Sequence, residues 1–399
     1  MFRSFNLDKT YQYLIILLAF LLPLTVFGAN LIIVIIVTLW SISGDYKSKF
    51  NEIFKNKLLL ASILFFSLHV VGLIWTENLS WGFHIIHKMW YFLLLFPILF
   101  NLMKKENIKY YISAFLVAIS LTELLSYLVW LEVINPFKNA TVANPTPFMD
   151  HISYNPILAF ASYLVLHQVF FNKKLKKIEL FAYSFFAISM SFNMFITGGR
   201  AGQVMFFAML AILIFQYFYA QKIKAIVVIL IVTGGIFTTA YEFSPLFQSR
   251  MDSIENNINN YATNKGTPVG LRIAFTINSW GVIMKNPIIG VGTGDFQAEY
   301  KKINLINTPQ LPATDNPHNM YILILMQLGV VGLISFLSIF YYQIKLSFLS
   351  KDKFIRDLGI TLPLLFLLIM WSDSYLLGHY TSLMFIFFSS FLYKDFEKS

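Results

Sequence analysis

His318 closes the polar stretch 242–317 and opens an apolar run that reads Asn316-Pro317-His318-Asn319-Met320-Tyr321 and then ILILMQLGVVGL. An imidazole titrates near neutrality and in its neutral form can take a proton from a hydroxyl. Asp315 or Asn316 is expected to cap the helix, with Pro317 and His318 in its first turn. The positive end of the helix dipole then favours the neutral, basic ring. Free backbone N–H groups at the same place can meet anionic oxygens. The position fits an interfacial His that merely begins a span equally well.

Arg200 lies in Thr197-Gly198-Gly199-Arg200-Ala201-Gly202, a tight connection between two apolar runs. Its flanking glycines let a ligand or another backbone come close. The bland alternative is an Arg snorkelling to lipid headgroups. Arg272 falls in GLRIAFTINSWGVIM, residues 270–284, expected as an apolar helix with Arg272 in its first turn. Its apolar neighbours suggest a packed helix, and a guanidinium suits bidentate binding of phosphate oxygens. Asp150-His151 ends a Pro- and Asn-rich segment, 135–152, and forms a plausible acceptor-side pair. Glu123 and His69 within apolar runs, and Asp373 near the end of one, fit either an ion path or a satisfied neighbour. His84 and His87 are three apart on one helix face, with no third ligand evident, so no metal is expected there. Gly290-Val291-Gly292-Thr293-Gly294-Asp295 lacks the Lys-Ser/Thr of a phosphate loop and reads as a tight turn.

The elements that position these residues are membrane helices. The 399-residue chain is 57% hydrophobic and only 13% charged. Apolar runs recur throughout, at roughly 11–28, 29–43, 58–75, 83–103, 110–134, 153–171, 178–197, 203–220, 225–241, 318–344, 357–377 and 380–393. The expected fold is therefore all-α: a polytopic membrane protein of about twelve spans in a single membrane domain, 1–399. Alternating short segments, the mark of a membrane barrel, are missing. Without Cys there is no disulfide, thiolate ligand or Cys nucleophile.

The net charge of +10 is distributed by membrane side rather than along a nucleic-acid face. Of the 30 Lys and Arg, 21 fall in one set of loops, and the opposite short loops hold only Lys88, Lys138 and Arg200. The positive-inside rule then makes the termini cytoplasmic and turns the large loop 242–317 outward. Within that loop, Met251, Ile254, Ile258 and Tyr261 form one stripe of an amphipathic helix over 249–261.

TGGRAG at 197–202, LR at 271–272, Trp280, KNPIIGVGTGDF at 285–296 and HNMYILILMQLGVVGL at 318–333 together resemble the O-antigen ligase and polymerase superfamily, over about 183–345. The resemblance implies a GT-C-like, metal-independent glycosyltransferase of the bacterial inner membrane with a periplasmic active site and no cofactor. A ligase of this kind moves a glycan from undecaprenyl diphosphate to lipid A-core in lipopolysaccharide biosynthesis, with inversion. The resemblance assigns His318 as catalytic and Arg200 and Arg272 as diphosphate-binding. The related polymerase is the runner-up, followed by a protein O-oligosaccharyltransferase, and then a lipid or glycan transporter. Partners expected on this basis are the lipid-linked donor, lipid A-core and membrane lipids, without nucleic acid.

Overall fold

The computed structural model describes residues 6–259 and 264–396. Arg3, Tyr261 and Lys398, used above for orientation and for the amphipathic stripe, lie outside the described residues. Among the described residues all regular structure is helical. In chain order the helices are α1 (Leu7–Leu21), α2 (Val26–Ile42), α3 (Tyr46–Lys55), α4 (Lys57–Val71), α5 (Leu79–Trp90), α6 (Phe96–Leu102), α7 (Ile108–Trp130), α8 (His151–Phe171) and α9 (Lys177–Ile196). They continue with α10 (Arg200–Tyr217), α11 (Lys222–Phe243), α12 (Pro245–Asn259), α13 (Pro268–Ile283), α14 (Phe296–Asn307), α15 (Met320–Leu349), α16 (Lys353–Ile369) and α17 (His379–Leu392).

The apolar runs expected to span fall largely on helices, but 11–28 is interrupted between α1 and α2 and 357–377 leaves its helix at Ile369. Among the described residues, six helical stretches are both long and apolar enough to cross a bilayer: Leu79–Leu102, Lys105–Trp130, Lys177–Ile196, Arg200–Tyr217, Lys222–Phe243 and Met320–Leu349. The first of these contains a π-helical turn, Tyr91–Leu95, between α5 and α6. A seventh candidate is the pair α2 and α3, bent by 115°. The large loop is built from α12, α13 and α14. On α12, Met251 and Ile254 are partly covered, but Ile258 is exposed.

The chain forms two compact units. The first comprises 1–38, 103–251 and 352–365. At its centre α8 packs along α9 and α10, and α1 packs on α7. Nearly the whole length of α8 from Tyr154 to Val165 is buried, which is why its sequence shows no polar face. The second unit comprises 39–102, 252–351 and 366–399. There α15 packs on α4, α17 on α6, and α13 against α14 and α15.

Helix α15 is broken within its apolar length. Gly329 has φ +62° and ψ −159°, a backbone that only glycine adopts readily. A continuous helix would donate Val330 N–H to the Met326 carbonyl and Val331 N–H to that of Gln327. The segment 287–292 supplies substitutes for all four groups. Val291 N–H donates to Met326 O at 2.8 Å and Gly292 N–H to Gln327 O at 3.0 Å. Val330 N–H donates to Pro287 O at 2.9 Å and Val331 N–H to Ile288 O at 3.2 Å. In an apolar medium such replacement is obligatory, because an unpaired backbone group there costs several kcal/mol.

The glycine-rich run is thus more than a turn: it is an internal strap. A Cβ on Gly290 would stand 2.4 Å from the Gln327 backbone, and one on Gly329 would stand 2.3 Å from that of Ile288. The strap is tied further on. Thr293 Oγ1 donates to His69 O at 2.7 Å, and Gln327 Nε2 donates to Thr293 O at 2.7 Å. The Asp295 carboxylate accepts from Glu77 and Asn78 N–H, both at 2.8 Å.

Candidate functional site

In the second unit, Asn319 caps α15, accepting from Tyr321 N–H at 3.0 Å and Ile322 N–H at 3.2 Å. This corrects two sequence expectations. Neither Asp315 nor Asn316 is the cap, and His318 stands before the helix rather than in its first turn. Two N–H groups at the start of α15 are also already satisfied, so they are not open to an anion. His318 has φ +52°, a left-handed backbone that His tolerates better than most residues. Asn316 stabilises that turn by accepting the His318 N–H at 2.9 Å.

Leaving the helix lets the imidazole face Asp373. His318 Nδ1 lies 3.1 Å from Asp373 Oδ2, with the two side chains 35% and 15% exposed. Asp373 is fixed in turn: its Oδ1 accepts from Asn316 Nδ2 at 2.9 Å and from Ser374 N–H at 2.7 Å. Burial pushes its carboxyl up. The His318 hydrogen bond and charge, with those from Ser374 and Asn316, outweigh burial and hold it below the usual carboxylate range. An ionised carboxylate only accepts, so Nδ1 carries the hydrogen and Nε2 of the neutral ring is left with the lone pair.

Asp373 lies in a connecting turn because α16 ends at Ile369, short of the boundary expected at 377. The Met370 carbonyl accepts instead from Met320 N–H at 2.9 Å, which ties this turn to the start of α15. Tyr321 O–H reinforces it by donating to Leu367 O at 2.5 Å. Asp373→Asn should lower turnover about ten- to a hundredfold, because a neutral amide neither fixes the ring tautomer nor stabilises imidazolium. Single-turnover rates, with the melting temperature as a folding control, measure this; an unchanged rate would leave Asp373 a purely structural clamp.

Arg272 belongs to the same unit. Thr267 caps α13 by accepting Gly270 N–H at 3.1 Å, and Pro268 opens the helix. The helix therefore starts earlier than expected, and Arg272 sits in its second turn. Phe275, one turn further along the same face, stacks on His318 with centroids 6.1 Å apart. Arg272 itself is exposed. Among the described residues it makes no side-chain hydrogen bond or ion pair.

Arg200, Asp150 and His151 belong to the first unit. The 197–200 turn is held from below by α8. Thr197 Oγ1 donates to Asn155 Oδ1 at 2.9 Å, and Asn155 Nδ2 donates to Gly199 O at 3.3 Å. A Cβ on Gly202 would lie 2.2 Å from Asn155 Cβ, so what approaches this glycine is α8 rather than a ligand. Arg200 is the first residue of α10, whose start has no side-chain cap.

Asp150 caps α8, accepting Ser153 N–H at 2.9 Å. His151 Nδ1 pairs with the Asn144 side chain at 2.8 Å, and Asn144 Oδ1 accepts Gly198 N–H at 2.9 Å. This segment therefore folds onto the Arg200 turn. Burial pushes the His151 imidazole below its ordinary value; Asp150 opposes the shift and Arg250 adds to it.

Of the weaker candidates, Glu123 is buried and accepts from Ser189 Oγ, while buried His69 bonds the Phe65 carbonyl at 3.0 Å. His84 and His87 lie exposed on α5. Among the described residues no group of three or more His, Asp or Glu assembles into a metal-holding cluster. Sequence reasoning missed Asp373 as the partner of His318, and Asn144 and Asn155 as supports of the Arg200 turn. Nothing in local spacing signals those pairings.

No match is found among curated proteins. Residues 185–337 match the family model described as O-antigen ligase. The matched segment holds the TGGRAG turn, Arg272, the strap across the break in α15, and His318, and it supports the resemblance to the O-antigen ligase superfamily.

Proposed function

We propose that this chain is an O-antigen ligase, an inverting, metal-independent transferase that moves a glycan from undecaprenyl diphosphate to a sugar hydroxyl of lipid A-core. The observation that supports this reading best is the Asp373–His318 pair at the start of α15, inside the family-matched region on the His318 side. It leaves a partly exposed imidazole nitrogen oriented by a carboxylate, the arrangement a general base needs.

The acceptor hydroxyl attacks the anomeric carbon of the donor sugar. Its proton passes to His318 Nε2, the new glycosidic bond forms, and the bond to the diphosphate oxygen breaks. Undecaprenyl diphosphate leaves with the electron pair. Arg272 and Arg200 hold its phosphate oxygens, offsetting the charge that grows on the leaving group. Asp150 and His151 are assigned to the acceptor side. The basic residues put the termini in the cytoplasm and this chemistry at the periplasmic face of the inner membrane, in a domain of about twelve spans.

Full-length protein in proteoliposomes, given the undecaprenyl-diphosphate-linked glycan and lipid A-core, tests the reading by product mass. Lipid A-core bearing the glycan is expected. Longer lipid-linked glycan beside unmodified lipid A-core would assign the polymerase reaction instead. Arg272→Lys should lower kcat/KM for the donor about tenfold, since Lys keeps the charge but loses the two-pronged geometry. Full activity of the Lys variant would rule out bidentate phosphate binding at 272.

A further inference from the structure

We infer that Arg250 is a further donor-binding residue, which with Arg200 takes the phosphate oxygens of the lipid-linked diphosphate at the 197–200 turn. The inference rests on the donor chemistry proposed above and concerns only residues of the first unit.

Arg250 lies in the polar stretch 242–317, among other loop cations. The structure gives it a fixed place. Ser244 Oγ donates to the Phe195 carbonyl at 2.9 Å, tying the entry of α12 to the end of α9. Phe247 is then buried, its ring 5.2 Å from Phe195 and 5.4 Å from Phe237. Arg250 follows Phe247 by three residues, so it lies on the same side of α12. Its guanidinium falls against the turn: a Cβ on Gly198 would meet Arg250 Nη2 at 3.3 Å. Gly198 is two residues before Arg200, so α12 delivers a guanidinium to the turn from which Arg200 opens α10.

An arginine opening α10 at the glycine turn and a second guanidinium held against that turn suit a ligand with several anionic oxygens. An Arg held by a packed helix also loses less side-chain entropy on binding than one on a mobile loop, where ordering costs up to about 2 kcal/mol. Two cations predict a preference for diphosphate over monophosphate, and that preference distinguishes a binding role from a structural one.

Binding of undecaprenyl diphosphate and of undecaprenyl monophosphate to the purified full chain in nanodiscs tests this, comparing the unmodified protein with Arg250→Ala and Arg250→Lys. The unmodified protein should prefer the diphosphate. Arg250→Ala should weaken diphosphate binding about tenfold, close to 1.4 kcal/mol, and weaken monophosphate binding less than about threefold. Arg250→Lys should fall between, and it serves as the readout if the Ala variant does not fold. If the unmodified protein binds diphosphate and both variants bind it equally well, Arg250 has no donor role and the proposed function stands. Equal losses for the two lipids would likewise overturn the inference, as they indicate a collapsed turn. If the unmodified protein binds neither lipid, the donor chemistry itself fails, and the inference with it.

Discussion

His318→Ala should lower glycan transfer about 10³-fold at saturating donor, the middle of the range that a positioned general base contributes. The residue stands outside α15 and is partly exposed, so its loss removes only its stacking on Phe275 and its bond to Asp373. The helix keeps its cap at Asn319, and Asp373 keeps its bonds from Asn316 and Ser374. Expression and melting temperature should therefore stay close to those of the unmodified chain, and the loss should sit in turnover rather than in donor affinity. Partial rescue by added imidazole would tie the defect to the missing base. Turnover of the Ala variant within about threefold of the unmodified protein is far smaller than a general base contributes and would remove His318 from that role.

Gly329→Ala should destabilise the protein by about 3 kcal/mol or more, through two additive causes. An Ala at φ +62° and ψ −159° is strained by about 1–3 kcal/mol. Its Cβ would also stand 2.3 Å from the Ile288 backbone, which cannot withdraw without breaking the bonds from Val330 and Val331. Those carbonyl and N–H groups would then lie unpaired in an apolar medium. Gly234→Ala is the control: Gly234 lies within α11, and nothing stands within 4 Å of where its Cβ would go. Melting in detergent and the monodisperse fraction on size exclusion report the outcome. A Gly329→Ala variant that melts with the unmodified protein would mean that segment 287–292 does not bridge the break in α15.

Much of the fold is legible along the chain. Long apolar runs announce membrane helices because a bilayer forces backbone groups to pair within the segment. Most of the expected runs are helical here, although 11–28 is broken between α1 and α2. Helix ends are less so: α13 is expected from 270, whereas Thr267 caps it and Pro268 opens it. The start of α15 shows why. Asp315, Asn316 and Asn319 are all credible caps, and local propensity does not choose among them. The choice falls to Asn319 because Met320 N–H is taken by Met370 and the His318 imidazole by Asp373. The break at Gly329 is equally silent, since GVVGL reads like any lipid-facing helix until its bonding partner is known.

By itself, the sequence determined the class of molecule, the helical segments, and the residue types fit for acid–base and anion chemistry: His318, Arg272 and Arg200. These depend on composition and on periodicity over a few turns. The tertiary structure decided what each residue does with its neighbours. It gave His318 a carboxylate 55 positions away, turned Gly199 and Gly202 toward α8, and made GVGTGD a strap across a broken helix. Pairings at such separations follow from how helices pack and which buried polar groups must be satisfied, and neither is written in any single stretch of chain.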